Sequence, residues 1–341
     1  MNKIETGKGV SNGMTSLVTG GAGFIGSHIV DRLLADGHKV IVIDNYSTGR
    51  PENLDHVRGN INLNMVEADV SEYNSIERYF KGVVWVFHLA AVADIVPSIV
   101  EPLKYYNSNV TGTANVLDIS KKAAIKRFIY AASSSCYGIP DEYPTREDAE
   151  IRTEYPYALT KHLGEKLVLH WGRVYKLPVV SLRFFNVYGL RSRTSGTYGA
   201  VFGVFLAQKL NNKPFTVVGN GEQTRDFTFV TDVVDACVTA AKSNVVNEIF
   251  NVGSGGTYSI NKLVSILSGD VVHLPKRPGE PDCTFADITK IKNMLGWVPK
   301  VSFEKGVQVM LDNIGYWRKA PVWSAEKIEV ATKDWFKYLG Q

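Results

Sequence analysis

Tyr157 and Lys161 stand four residues apart in Tyr157-Ala158-Leu159-Thr160-Lys161, at the start of a helical pattern over 157–175. Residues at i and i+4 share one helix face, so a phenol and an ammonium point the same way. The lysine charge favours the phenolate, as an oxidised nicotinamide ring would. A phenol of depressed pKa is a usable general base near neutral pH. The spacing alone is common: Tyr258-Ser259-Ile260-Asn261-Lys262 repeats it and reads as a surface pair at a helix start. What distinguishes Tyr157 is Ser133-Ser134-Ser135, which follows an apolar strand pattern at 128–132. Open α/β sheets place ligands at such strand ends, where these hydroxyls can polarise the oxygen on which Tyr157 acts. A polar turn and an unrelated helix surface pair would look the same. The deciding feature is the rest of the sheet.

That feature is Gly20-Gly21-Ala22-Gly23-Phe24-Ile25-Gly26, which follows the apolar run Leu17-Val18-Thr19 and opens an amphipathic run to about Leu34. Strand, tight glycine turn and helix bring backbone against a pyrophosphate at a helix N-terminus. Eighteen residues after Gly26 comes Asp44, at the end of Lys39-Val40-Ile41-Val42-Ile43. A carboxylate there accepts from both ribose hydroxyls and repels a 2′-phosphate, so NAD is expected rather than NADP. Three glycines in a loop of positive φ would be the plain alternative.

These residues need a scaffold. Strands are predicted near 15–19, 39–44, 63–67, 83–88, 127–132 and 178–183, with helices near 24–35, 72–80, 101–122 and 157–175. Such alternation predicts an α/β fold: a doubly wound parallel (Rossmann) sheet with right-handed crossovers. After Asn186 the segments shorten and the loops at 192–199, 219–221 and 275–281 carry Gly and Pro. A β-α-β stretch over 228–253, its helix N-capped by Thr231-Asp232, reads as chain returning to the first domain. Helices at 302–318 and 324–338 close a smaller C-terminal α/β part. The expected division is a flexible extension at 1–13, a dinucleotide domain of 14–185 plus 228–255, and a substrate domain of 186–227 plus 256–341.

The 341 residues carry a net charge of +4 and no basic run, so no nucleic-acid partner is expected. No apolar run reaches 18 residues and residues 1–13 lack an apolar core, so neither a membrane span nor a signal peptide is expected. Cys136, Cys237 and Cys283 are widely separated and odd in number, which points to a reducing, cytoplasmic setting. The seven His show no ligand spacing, so no metal is expected.

As a set, the motifs from Met14 to about residue 318 resemble the extended short-chain dehydrogenase/reductase family, and within it the nucleotide-sugar 4-epimerases similar to UDP-glucose 4-epimerase. Beyond the glycine turn they include Asp44-Asn45 with Ser47-Thr48-Gly49, Ala68-Asp69-Val70, His88-Leu89-Ala90-Ala91 and 107–113. They continue with 133–138, Tyr157–Lys161, 183–189, 219–229 and Arg277-Pro278-Gly279-Glu280. The resemblance implies a cofactor site of Gly20, Gly23, Phe24, Ile25, Gly26, Asp44, Asn45, Asp69, Val70, Ala90 and Asn109, shared with Tyr157 and Lys161. It implies Ser133, Tyr157 and Lys161 as the catalytic set. It further implies Asn186, Arg225, Arg277 and Glu280 on the substrate's nucleotide diphosphate, in keeping with guanidinium–phosphate pairing. Otherwise Arg225 would be a charged partner of Asp226 or Asp232.

Relatives that dehydrate sugars place Asp-Glu where this chain has Ser134-Ser135. Decarboxylating relatives keep a Glu at Ser135, and the fucose-synthase branch a Cys there; Cys136, one residue on, reads as core. The expected reaction is C4 inversion of a UDP-hexose through a 4-keto sugar, by a homodimer joined through helices near 101–119 and 157–173. The resemblance further implies that the position seven residues after Arg277 gates the pocket beside C2; here it is Thr284, whose small size would admit an N-acetyl group. Arg193 resembles the arginine that uronic acid epimerases aim at a C6 carboxylate, or is a solvated loop charge. A glucuronate epimerase, another sugar-nucleotide redox enzyme, and an inactive dinucleotide-sensing protein are the alternatives.

Overall fold

The computed structural model describes residues 13–193 and 200–340. The expected extension, apart from Gly13, and most of the loop at 192–199 lie outside the described residues.

Chain order begins with β1 (Thr15–Thr19), α1 (Phe24–Ala35), β2 (Lys39–Asp44), β3 (Leu63–Glu67), the single turn α2 (Tyr73–Ile76) and β4 (Trp85–His88). Then come α3 (Ile95–Val100), α4 (Pro102–Tyr106), α5 (Gly112–Lys122), β5 (Arg127–Ser133), the long α6 (Pro156–Tyr175) and β6 (Val179–Phe184). The second half holds β7 (Val187–Tyr188), α7 (Val201–Leu210), β8 (Phe215–Val218), β9 (Thr224–Arg225), β10 (Thr228–Phe229), α8 (Val230–Lys242) and β11 (Glu248–Val252). It ends with β12 (Tyr258–Ser259), α9 (Ile260–Leu267), β13 (Val271–Leu274), α10 (Thr289–Leu295), α11 (Phe303–Asp312) and α12 (Ala325–Leu339).

The main sheet is parallel, in the order β11-β6-β5-β4-β1-β2-β3. Strand order reverses between β1 and β4, which opens a crevice at their C-terminal ends. Both sheet faces are covered, which explains why these strands are apolar almost throughout. On one face Val18, Val42 and Phe87 pack with α1 and α8 through Ile29, Leu33, Val233 and Ala240. On the other Leu17, Val86 and Phe128 meet α5 and α6 through Val116, Leu117 and Val168. Each such fully buried side chain contributes about 1.5–3 kcal/mol. A separate cluster around Phe205, Phe215, Leu263, Phe303 and Trp317 holds the second half together.

Several expectations change in detail. The helix predicted at 101–122 is interrupted by a π-helical turn, Asn107–Thr111, a distortion that re-aims side chains. Of the 228–253 stretch, β11 joins the main sheet, but β10 pairs with β7 instead. The helix between them starts at Val230 with Phe229 as N-cap and no side-chain cap. Thr231 and Asp232 therefore do not cap it: Asp232 Oδ2 instead accepts the Val301 N–H at 3.0 Å.

Candidate active site

A cavity of about 620 Å3 runs from the glycine turn across the C-terminal ends of β1, β4 and β5 into the second half of the chain. Its floor is the turn after β1. Gly20, at φ +70°, donates its N–H to Ile43 O at 2.8 Å. A Cβ on Gly20 would stand 2.8 Å from the Ala90 nitrogen, and one on Gly26 only 2.1 Å from Gly20 O. Glycine is thus required where the turn meets the β4 loop and where the helix crosses the turn. Gly23 is the N-cap of α1 and supplies no side-chain cap, so the positive helix end faces the cavity free for an anion.

Asp44 ends β2 and is buried. Its carboxylate accepts Ala22 N–H at 3.0 Å and Tyr46 N–H at 2.9 Å, one on each oxygen. Each oxygen keeps a second lone pair for a ribose hydroxyl. Burial raises its pKa above the usual carboxylate range, against these two donors. Asn45 also lines the cavity and donates to Asp69 Oδ2 at 2.6 Å. Asp69 itself is set back, its other oxygen held by Ser71, while Val70 packs on Gly112 and reaches the wall. Phe24, Ile25 and Ala90 line the cavity as expected. Asn109 does not: it is buried, its amide bonded to both backbone groups of Val92 and to Thr160 Oγ1. The π turn swings it inward and leaves Ser108 at the wall.

Tyr157 and Lys161 open α6 and both line the cavity beside β5. Ser133, at the end of β5, lies beside Tyr157 but behind the cavity wall, its Oγ 2.8 Å from Ser135 Oγ. The expected depression of the Tyr157 pKa is not found. Burial raises it, and the Ser133 hydroxyl only partly opposes this. Lys161 is buried too: loss of solvent lowers it from the usual 10.5 to about 7, with Glu165 pulling the other way. A lysine that is only half protonated is a weak partner for a phenolate. Beneath the site Arg183 and Glu165 form a buried pair at 2.6 Å, joined by Ser181 and Tyr137. Cys136 lies in this core, its thiol pushed up to about 12 chiefly by burial. The second Tyr-x-x-x-Lys pair is elsewhere: Tyr258 stacks on Phe303, and Lys262 reaches Glu304 at 3.4 Å.

On the far side, Glu280 bridges two arginines of the cavity wall: Oε1 to Arg225 at 2.8 Å and Oε2 to Arg277 at 3.6 Å. Neither Asp226 nor Asp232 partners Arg225. Asp226 is fully buried, accepts N–H groups of Ser254 and Ala286, and is pushed up to about 6 chiefly by burial. Asn186 lines the cavity. Thr284 stands behind it, donating to Asn186 Oδ1 at 2.7 Å and accepting Asp226 N–H at 3.0 Å. Arg193 also lines the cavity, and its guanidinium is paired with Asp94.

Sequence reasoning missed part of the wall. Ile95 and Val96 of α3, Phe202 and Phe205 of α7, and Trp323 and Trp335 at the C-terminal end all contribute. The Val201–Leu210 run is apolar nearly all round, so it lacks the amphipathic period that marks a helix. Nothing local in the chain signals that the tryptophans fold back onto the cleft.

With this geometry established, comparison with known proteins is informative. Residues 16–253 match the sequence profile of the NAD dependent epimerase/dehydratase family. The UDP-glucose 4-epimerase of Mycolicibacterium smegmatis is 36% identical over 304 residues, 86% of this chain and 96% of that protein. A crystal structure of the UDP-glucose 4-epimerase of Thermotoga maritima with UDP-glucose superimposes with a TM-score of 0.82 at 36% identity, covering 90% of this chain and 99% of the other. The UDP-glucuronic acid 4-epimerase of Bacillus cereus, with UDP-glucuronic acid and NAD, gives 0.83 at 32% identity, covering 89% and 99%.

Proposed function

The chain belongs to the NAD dependent epimerase/dehydratase family and uses NAD, and on that footing we propose that it inverts C4 of a UDP-activated hexose through a 4-keto intermediate. The observation that carries this reading is the meeting, in one cavity, of Tyr157 and Lys161, with Ser133 just behind Tyr157, and the Arg225–Glu280–Arg277 cluster. One group does proton chemistry, the other offers anion-binding cations.

The cavity fits a dinucleotide: a glycine cradle that a Cβ would fill, an uncapped helix end and a carboxylate with free lone pairs. Gly20, Gly23 and Gly26 would hold its pyrophosphate, Asp44 the adenosine ribose, Asn45 and Val70 the adenine end, and Tyr157 with Lys161 the nicotinamide ribose. When bound, NAD supplies the hydride acceptor and donor for the sugar C4 and a positive ring charge close to Tyr157. Ser133 orients the sugar 4-oxygen, and Tyr157 takes its proton as C4 is oxidised. Protonated Lys161 stabilises the phenolate, the role a nearby cation plays on any phenol. Arg225, Arg277 and Asn186 hold the diphosphate while the keto sugar turns over, and Tyr157 returns the proton to the other face's alkoxide. Glu280 keeps the two arginines from repelling each other when no phosphate is present.

A uronate substrate is the second reading, favoured by Arg193 at the wall. Its pairing with Asp94 neutralises the charge a carboxylate would seek, so neutral hexoses are placed first. The exposed Leu103 and Leu159, at 76% and 44%, fall in the segments expected to join two subunits, which supports a homodimer.

The test is incubation with UDP-galactose, following UDP-glucose by chromatography and NADH by absorbance. Conversion without net NADH supports the proposal. Stoichiometric NADH accumulation, or no turnover of any UDP-hexose, overturns it.

A further inference from the structure

α12 lies outside residues 16–253 of the family profile, yet it closes the cavity. It packs on α3, which belongs to the first half of the chain, and its Trp335 reaches the Arg277–Glu280 loop of the second. The helix therefore straps the two sides of the cleft together. Its N-terminus is capped locally: Ser324 accepts the Lys327 N–H.

Trp335 is the point of contact. It is 4% exposed, its indole N–H donates to Pro278 O at 2.7 Å, and its ring lies 5.5 Å from the Arg277 guanidinium carbon. Tyr155 is a second neighbour of the indole, ring centroids 6.5 Å apart. One side chain thus grips the backbone just after Arg277 and also offers a π face to its guanidinium. Arg277 would otherwise ride on a loop with Gly279 at φ +69°. A flexible arginine loses rotamer freedom on binding a phosphate, whereas a pre-set one does not.

We propose that Trp335 is a positioning residue that holds Arg277 in the orientation needed to bind the anionic diphosphate of the substrate. This rests on the reading of the cavity as a sugar-nucleotide site. The indole itself does no chemistry; it sets affinity. A desolvated cation–π contact is worth enough to change binding by about tenfold.

The experiment measures UDP binding by calorimetry, and KM and kcat, for wild type, Trp335→Leu and Trp335→Phe. Leucine fills most of the space without a π face, and phenylalanine keeps the face without the N–H. Leucine should weaken UDP binding and raise KM about tenfold, with kcat within threefold of wild type, and phenylalanine should restore binding to within threefold. In an Arg277→Ala background the leucine change should add nothing, since the proposed route runs through that guanidinium. Wild-type affinity in the leucine variant, phenylalanine as weak as leucine, or independent losses in the double variant each overturn the proposal. A wild-type protein that binds no UDP would instead remove the sugar-nucleotide reading itself.

Discussion

The Lys161 Nζ lies 4.5 Å from the centre of the Tyr130 ring, and the Tyr130 hydroxyl donates to the Lys161 carbonyl at 3.2 Å. One residue of β5 thus fixes both the backbone and the side chain of the lysine beside Tyr157. Gly164 makes room, since a Cβ there would stand 2.2 Å from that hydroxyl. The ammonium is held on an aromatic face rather than in water, and this is why its pKa falls to about 7.

The first prediction follows from that shift. In the unfolded chain lysine titrates near 10.4. Below about pH 7 both states carry the proton and the full cost of burying the charge applies. Between about 7 and 10.4 the unfolded chain binds more protons, so stability rises with pH. Protein stripped of NAD should therefore be less stable than its Lys161→Met variant at pH 6–7, and the gap should close toward pH 10. Melting temperatures across that range check it; a gap that is constant or widens with pH contradicts the burial of a titrating ammonium.

The second concerns the turn. Gly26→Ala puts a methyl 2.1 Å from Gly20 O, against backbone that cannot rotate away. Relief requires moving the start of α1, at a cost of roughly 1–3 kcal/mol, and it spoils the cradle. The variant should fold with a lowered Tm and copurify with less than a tenth of the wild-type NAD. Full NAD occupancy would show that the turn does not carry the cofactor.

The third concerns Glu165 and Arg183, which are 2% and 3% exposed in their side chains. Glu165→Gln leaves the guanidinium buried without its counter-charge, at about 3–5 kcal/mol. Burial alone would raise the Glu165 pKa, but the neighbouring His162 and the bonds from Arg183 and Ser181 hold it below the usual range. A depressed carboxyl contributes stability above about pH 4.3 that is lost as the pH falls through its folded value. Urea unfolding should show the wild-type advantage over Glu165→Gln at pH 7 shrinking below pH 4. An advantage independent of acid would assign the pair's value to packing.

The parts of this molecule legible in its sequence are those whose cause is local. The sheet strands announce themselves because burial on both faces makes them continuous apolar runs, as in Lys39-Val40-Ile41-Val42-Ile43. Gly20 and Gly26 are legible because a turn of that shape excludes a Cβ at both. The Arg225–Glu280 pair spans 55 residues and Trp335–Pro278 spans 57, and no periodicity carries such information. An adjacent ammonium predicts a depressed Tyr157 pKa, but the helix spacing carries no information on the burial of the phenol, which raises it. The sequence likewise carries no sign of the π turn that holds Asn109 on Val92 and Thr160.

The last prediction is the sugar. Arg193 and Asp94 form an ion pair at the cavity wall, their side chains 35% and 21% exposed. A glucuronate carboxylate would have to take Arg193 from Asp94 and leave that carboxylate facing a second anion, a like-charge contact that costs binding. A neutral hexose needs no such exchange, and its hydroxyls can bond to either member of the pair. The expected order of kcat/KM is UDP-glucose and UDP-galactose first, the N-acetylated pair close behind, and UDP-glucuronate third. Asp94→Asn releases Arg193 and should raise glucuronate relative to glucose by about tenfold, on the scale of one restored charge-assisted contact. Measuring the three substrates on wild type, Asp94→Asn and Arg193→Ala decides the matter. If glucuronate is already the best wild-type substrate and Arg193→Ala abolishes that preference, the pair opens for a carboxylate and the protein is a uronate epimerase.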